Sequence, residues 1–153
     1  MVAWFVLEGP VREVIHKLKY GDRPILAGPL VELGLALGDL PAGVVVPVPL
    51  GRSRRRHRGY NQAEALARKI AAATGRRRLE GLRRVRETDA QVGRSGEERR
   101  LALAGAFAWQ GTAPEEILLV DDVVTTGATL VECARAARAA GVQCVHTLAA
   151  ALG

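Results

Sequence analysis

The feature that most constrains the fold is a strand–loop–helix–strand succession in the last third of the chain. Residues 117–120 form a short, continuously apolar run, residues 127–140 have the composition of a helix that Gly141 closes, and residues 142–149 are apolar again. Such a run is expected of a strand buried on both faces, and strands that alternate with helices are typical of an open parallel sheet. A similar run at residues 44–48 predicts an earlier core strand. The sequence therefore predicts an α/β protein with an open parallel sheet and flanking helices.

The rest of the chain supplies helices and a long charged segment. Apolar spacing predicts helices over residues 11–20 and 62–73, and a third over residues 25–37 whose ends are obscured by glycine and proline. Residues 52–61 are expected to form a polar, basic loop. Residues 76–100 are charged and poor in large apolar side chains, which predicts a mobile segment with at most a short strand.

The length of 153 residues is that of one domain. We expect a single domain over residues 1–153, in which residues 1–40 form a small helical hood and residues 41–153 the sheet core. An apolar fraction of 48% excludes a generally disordered chain. No apolar stretch approaches the about 18 to 20 residues that cross a bilayer, and residues 1–7 lack the basic start of a secretion signal. We therefore expect a soluble, cytoplasmic protein without membrane contact.

The cysteines and histidines give no pattern typical of a metal site. Cys133 and Cys144 lack the C-x-x-C spacing of a zinc ribbon or a redox dithiol, and both are interpreted as small buried hydrophobic residues. His16, His57 and His146 are too scattered along the chain to predict a metal site. No metal-ligating residue is assigned.

The net charge of +6 is unevenly distributed. Residues 50–100 contain sixteen basic and six acidic side chains, which gives a local charge of +10 and leaves the remainder slightly acidic. A locally basic segment favours an anionic partner, either the phosphates of a small ligand or those of nucleic acid. A solvated arginine-rich face without a ligand remains an open alternative.

Residues 121–129, DDVVTTGAT, directly follow the predicted strand 117–120. Ligands of open α/β sheets bind at the carboxyl ends of strands, where loops turn into helix N-termini. Gly127 lets the backbone approach a ligand closely, and free N–H groups and threonine hydroxyls are suitable donors to phosphate oxygens. The segment therefore predicts a phosphate-binding loop.

Two adjacent carboxylates, Asp121 and Asp122, stand immediately before this loop. Negative charge beside a phosphate is unfavourable by itself, but the 2′ and 3′ hydroxyls of a ribose can donate hydrogen bonds to both carboxylates. The segment thus indicates a phosphorylated pentose rather than bare phosphate. An aspartate pair that merely caps the next helix is the alternative, and it leaves the threonines unexplained.

Residues 117–129, ILLVDDVVTTGAT, closely resemble the ribose-5-phosphate motif of type I phosphoribosyltransferases. The resemblance implies that family's fold, a hood that contacts the second substrate, and the ligands 5-phosphoribosyl 1-pyrophosphate and Mg²⁺. It also implies that Mg²⁺ is held largely by pyrophosphate, ribose hydroxyls and water. Asp121 and Asp122 are then the predicted catalytic residues. The predicted ribose-5-phosphate-binding residues are Asp121, Asp122, Val123, Thr125, Thr126, Gly127, Ala128 and Thr129.

Residues 46–67, VPVPLGRSRRRHRGYNQAEALA, resemble the signature of the ComF branch of this family, the competence-associated phosphoribosyltransferase-like proteins. Residues 82–107 continue the resemblance weakly, although an asparagine expected shortly after Arg99 is absent. ComF-like proteins often carry a zinc ribbon before this domain. This chain has none, so it is either a short form or the ribbon lies outside it.

The arginines that follow the first predicted core strand should emerge at the same sheet edge as the two aspartates. There they can neutralise a pyrophosphate with the bidentate geometry that arginine offers. For each arginine taken singly, a surface role is equally open. The predicted pyrophosphate-binding residues are Arg52, Arg54, Arg55, Arg58, Arg83 and Arg86. Residues 83–100 correspond in position to the loop that closes over the reacting centre in this enzyme class and excludes water.

Two functions follow from the resemblance. The first is an enzyme that transfers the phosphoribosyl group from 5-phosphoribosyl 1-pyrophosphate to a nitrogen acceptor, with Mg²⁺. The second is a competence factor in DNA uptake that binds single-stranded DNA or a helicase partner with little or no catalysis. The acceptor is not readable from the sequence, and a homodimer is left open.

Overall fold

A sheet of four parallel strands forms the centre of the computed structural model, which describes residues 1–21, 23–86 and 101–153. The strands of the described residues are β1 (Val2–Val6), β2 (Val44–Pro47), β3 (Leu82–Arg84), β4 (Phe107–Trp109), β5 (Glu116–Val124) and β6 (Cys144–Leu152). The central sheet has the order β1-β6-β5-β2. Strands β3 and β4 form a separate antiparallel pair.

Helices cover both faces of the central sheet. They are α1 (Gly9–Tyr20), a 3₁₀ turn (Pro24–Leu26), α2 (Ala27–Leu35), α3 (Arg52–Arg58), α4 (Gln62–Thr74) and α5 (Ala128–Ala139). One apolar cluster joins α1, α2 and α4 to the sheet, and a second joins α5 and the β3–β4 pair to it. The predicted α/β class, with an open parallel sheet and flanking helices, is confirmed.

The prediction that residues 1–40 form a helical hood is wrong for β1 (Val2–Val6). Strand β1 pairs in parallel with β6, with Val2 beside Leu148 and Phe5 beside Ala151, so the first residues belong to the sheet. The apolar run at the start of the chain satisfies the open edge of the long strand β6, since an unpaired edge leaves backbone donors and acceptors without partners. The helical part of the N-terminal region is therefore α1, the 3₁₀ turn and α2.

The predicted basic loop at residues 52–61 is largely helical. Helix α3 begins after Gly51, which is extended, and ends at Gly59, which adopts the left-handed conformation with a φ of 77°. Arginine has a high helix propensity, and basic side chains in the last turn interact favourably with the helix dipole. Helix α3 is exposed and buries no residue, so its sequence has no apolar stripe. For this reason the segment was predicted to be a loop.

Among the described residues, no helix combines the length and the apolar character that a membrane span requires.

Candidate functional site

The two adjacent aspartates lie near the carboxyl end of β5, which continues through them to Val124. The Asp122 backbone N–H donates to Asp121 Oδ1 at 2.9 Å, and the Val123 N–H donates to Asp122 Oδ1 at 2.8 Å. Both carboxylates are thus oriented by backbone donors at the edge where an open parallel sheet binds its ligands.

The negative charge of Asp121 is unfavourable at its position in the pair. Burial raises the pKa of Asp121 well above its usual range, and the neighbouring Asp122 carboxylate raises it further, while Lys19 acts in the opposite direction. This environment favours a ligand that donates hydrogen bonds to the carboxylates.

Asp122 Oδ2 is buried and has no hydrogen bond within the described part of the chain. Lys19 Nζ lies 3.4 Å away as an ion-pair partner, and its side chain is only 22% exposed. Lys19 reaches this place because Tyr60 Oη and Gln62 Nε2 both donate to the Leu18 carbonyl and so fix the end of α1 against α4. The sequence-based site did not include Lys19.

The threonine–glycine loop follows the aspartates without a break. Gly127 has a φ of 73° and is the N-cap of α5, which has no side-chain cap hydrogen bond. A Cβ added at Gly127 would meet no atom within 4 Å, so glycine is required there by the backbone conformation and not by lack of space. Thr125 and Thr126 are exposed, and Ala128 N–H has only a long contact of 3.5 Å to Thr126 Oγ1.

The loop encloses a concavity of about 50 Å³, lined by Asp121 and residues 123–130. At about 10–15 Å³ for each water-sized group, this is space for several oxygen atoms, as in a phosphate. The structure thus brings all the predicted ribose-5-phosphate-binding residues together around this concavity except Asp122. Asp122 lies between Asp121 and Val123 on β5 but does not line the concavity.

The six predicted pyrophosphate-binding arginines do not converge on one place. Three of them line a concavity of about 370 Å³ beside the end of β2. These three are Arg52, Arg55 and Arg83. Glu64 and Glu80 line the same concavity, and their carboxylates repel an anion.

The remaining arginines point elsewhere. Arg58 donates to Gln62 Oε1 at 3.1 Å and to Tyr20 Oη at 3.3 Å, and its guanidinium lies 5.0 Å from the Tyr20 ring centre. Arg86 donates to the carbonyl oxygens of Ala102 and Ala104. Arg54 is exposed on α3. The rest of the predicted closing loop, residues 87–100, lies outside the described residues.

A second concavity, of about 400 Å³, was not predicted from the sequence. It is lined by Lys19, Tyr20, Arg56, His57, Arg58 and Gly59. Because Lys19 also contacts Asp122, this cationic concavity adjoins the aspartate pair. When a ligand has anionic groups at both ends, one of these groups can therefore contact positive side chains on the α3 side of the aspartates.

No protein-family profile matches the chain. It is 38% identical over 104 residues to competence protein F of Haemophilus influenzae, a match that covers 65% of this chain and 45% of that protein. It is 31% identical over 140 residues to the DNA utilization protein YhgH of Escherichia coli (strain K12), covering 82% and 60%. Competence protein ComFC of Streptococcus pneumoniae is 36% identical over 103 residues, covering 67% and 44%. The chain spans about half the length of these curated relatives.

Among solved structures, the allosteric regulatory enzyme of purine biosynthesis matches with a TM-score of 0.56 and 21% identity. The match covers 89% of this chain and 30% of that one. At this identity the likeness concerns the fold alone, and it confirms the predicted type I phosphoribosyltransferase-like fold.

Proposed function

This chain is a homologue of the ComF-type competence proteins with a type I phosphoribosyltransferase-like fold, and from that premise we propose that it binds 5-phosphoribosyl 1-pyrophosphate. The observation that carries the proposal is the continuity of the aspartate pair with the threonine–glycine loop at the end of β5. Carboxylates suited to hydroxyl donors are followed directly by a loop suited to a phosphate.

The ribose is bound through its hydroxyl groups. Asp121 and Asp122 accept hydrogen bonds from the 2′ and 3′ hydroxyls, and Asp122 Oδ2 is a buried acceptor that has no hydrogen bond within the described residues. Lys19 offsets its charge as an ion-pair partner at 3.4 Å, and a hydroxyl of the ligand supplies the hydrogen bond that this oxygen lacks. The 5′-phosphate occupies the loop 125–129, where backbone N–H groups and threonine hydroxyls donate to it.

The pyrophosphate lies on the basic side of the aspartates. Lys19 is 3.4 Å from Asp122 and lines the cationic concavity, so its ammonium is placed between the carboxylate pair and an incoming anion. Arg52, Arg55 and Arg83 offer a second group of donors beside β2. Arginine suits such contacts because its planar fork binds phosphate oxygens bidentately.

The oxygen-rich donor set also fits Mg²⁺, a hard cation that prefers oxygen ligands and keeps several waters. Asp121 and Asp122 are the residues that would hold it, directly or through the ribose hydroxyls. When bound, Mg²⁺ neutralises charge on the departing pyrophosphate.

The reaction that suits this arrangement is displacement at C1 of the sugar. The bond between C1 and the pyrophosphate oxygen breaks, a bond between C1 and an acceptor nitrogen forms, and the acceptor proton passes to solvent. The protein contributes position and charge, since the fixed ribose and the cations around pyrophosphate need no reorganisation as the leaving group departs.

Isothermal titration calorimetry with 5-phosphoribosyl 1-pyrophosphate and Mg²⁺ tests the proposal. The variant Asp121→Asn/Asp122→Asn keeps the shape of both side chains and should lose measurable binding while its far-UV circular dichroism is unchanged. Asp39→Asn is the matched control, because Asp39 is exposed and distant in sequence from the site. Unchanged affinity in the double variant would refute the assignment.

A second candidate function is binding of single-stranded DNA. The observation that favours it is the exposed cationic helix α3, in a chain whose relatives are named as competence and DNA utilization proteins. In this case the affinity for single-stranded DNA falls steeply with salt, and each phosphate contact contributes about −0.7 to the slope of log K against log[salt]. Arg54→Gln/Arg56→Gln should make the slope shallower by about 1.4. Binding that does not depend on salt, or no binding at all, excludes this function.

A further inference from the structure

Three side chains of different chemistry converge at the amino ends of β5 and β6, far from the aspartate pair. Glu116 begins β5 and lies beside Cys144, which begins β6, in the parallel register of the two strands. His146 is two residues further along β6 and shares the face of Cys144, because side chains alternate along a strand. Asp121 lies five positions after Glu116 on β5, which is about 16 Å along a strand.

The contacts within this group meet at one nitrogen atom. His146 Nε2 lies 2.8 Å from Glu116 Oε1 and 3.2 Å from Cys144 Sγ. The three ligand atoms all lie within 4.8 Å of one another, and all three residues are half-buried. They are therefore close enough to share one central atom and open enough to receive it from solvent.

A hydrolytic triad does not explain this geometry. In such a triad the carboxylate binds Nδ1 of the histidine while Nε2 contacts the nucleophile. Here the carboxylate and the thiol both approach Nε2, which can hold a single proton. Convergence of a sulfur, a nitrogen and an oxygen on one point is the arrangement of metal ligands.

We propose that Glu116, Cys144 and His146 bind a divalent transition-metal cation, with zinc as the ion whose ligand preferences they match. Zinc takes thiolate, imidazole and carboxylate ligands and is four-coordinate, so three protein ligands leave one position for water. The thiol excludes Mg²⁺ and Ca²⁺ as natural occupants, because these hard cations prefer oxygen ligands. On binding, the Cys144 thiol loses its proton to solvent and the thiolate becomes the ligand.

When Cys144 ligates as a thiolate, its sulfur lies within 4.8 Å of the Glu116 carboxylate oxygen. Two negative groups this close repel each other. A bound cation removes this repulsion and joins the two central strands at their amino ends. This site is independent of the sugar site, which lies at the carboxyl ends of the same strands.

The structure also corrects one reading of the sequence. Cys133 is buried as predicted, but Cys144 is half-exposed and contacts His146, so its interpretation as a small buried hydrophobic residue is wrong. The histidines were too scattered to predict a metal site. The spacing of these residues in the sequence does not reveal the cluster. Glu116 lies 30 residues before His146 and comes beside it through the pairing of β5 with β6.

Cobalt(II) titration of the purified protein tests the proposal, since cobalt takes zinc sites and reports thiolate ligation by a charge-transfer absorption. One equivalent of cobalt should produce this absorption, and added zinc should abolish it. Cys144→Ser should abolish it as well, and His146→Gln should weaken cobalt binding by more than the roughly 10- to 100-fold lost with an outer-shell partner. Cys133→Ser and His57→Gln are the matched controls and should bind cobalt as the unaltered protein does.

Two outcomes would overturn the site. One is the absence of a charge-transfer band at stoichiometric cobalt. The other is a band that survives Cys144→Ser but disappears in Cys133→Ser. Circular dichroism verifies that each variant is folded, and His146→Gln decides the question if Cys144→Ser does not fold. The thermal midpoint provides a second readout, because a cation that binds the folded state alone raises it further as the free cation concentration increases relative to the dissociation constant.

Discussion

Replacing Lys19 with methionine tests how the aspartate pair is held in the folded protein. Lys19 Nζ lies 3.4 Å from Asp122 Oδ2, and the two side chains are 22% and 12% exposed. An exposed ion pair contributes about 0.2–1 kcal/mol, whereas removal of one partner from a buried pair costs about 3–5 kcal/mol. This pair lies between these limits, and its loss leaves a buried carboxylate oxygen without a partner. We expect Lys19→Met to lower the free energy of unfolding by about 2 kcal/mol at pH 7.

Urea denaturation followed by circular dichroism measures this loss. Lys17→Met is the matched control, because Lys17 lies on the same helix but is exposed, and it should change the free energy of unfolding by less than about 0.5 kcal/mol. In the background of Asp122→Asn, Lys19→Met should cost much less, which gives a coupling energy of at least about 1 kcal/mol. If the two substitutions are additive within about 0.5 kcal/mol, the ion pair does not stabilise the site and the reasoning is wrong.

Three further predictions concern the site. The raised pKa of Asp121 means that the folded protein binds a proton more tightly than the unfolded chain, so this group lowers stability as pH rises from about 4 through the folded pKa. Asp121→Asn should therefore raise the thermal midpoint at pH 7 relative to the unaltered protein but not at pH 3, and a gain of equal size at both pH values would contradict this. Gly127→Ala should destabilise the protein by about 1–2 kcal/mol in urea denaturation because its φ is 73°, whereas Gly28→Ala within α2 should not, and equal effects would show that backbone strain is not the cause. Arg52→Gln should weaken binding of 5-phosphoribosyl 1-pyrophosphate about tenfold in calorimetry and leave ribose 5-phosphate binding unchanged, with Arg54→Gln as the neutral control; an equal loss for both ligands would remove Arg52 from the pyrophosphate.

The sheet and the position of the threonine–glycine loop were readable from the sequence because their signals are local. A continuous apolar run followed by DDVVTTGAT predicts a buried strand, a turn and a helix N-terminus without knowledge of distant residues. The observed β5 extends through both aspartates to Val124, which strand propensity of the valines explains. Gly127 was predicted as the position where the backbone approaches a ligand, and the structure adds its left-handed conformation, which few residues other than glycine adopt.

Features that depend on tertiary pairing were not readable. Strand β1 exists because β6 offers an edge, and helix α3 lacks the apolar stripe by which sequence periodicity finds helices. Charge alone does not indicate where a long side chain points, so the arginines after β2 separate into two concavities that the sequence treats as one. Lys19 joins the site only because α1 packs against α4.

The most direct test of the sugar site is a crystal of this protein soaked with Mg²⁺ and 5-phosphoribosyl 1-pyrophosphate. The 5′-phosphate should lie in the loop 125–129, with the ribose hydroxyls within hydrogen-bond distance of Asp121 and Asp122. Density for the ligand at another place on the surface, or an empty loop at saturating ligand concentration, would contradict the account.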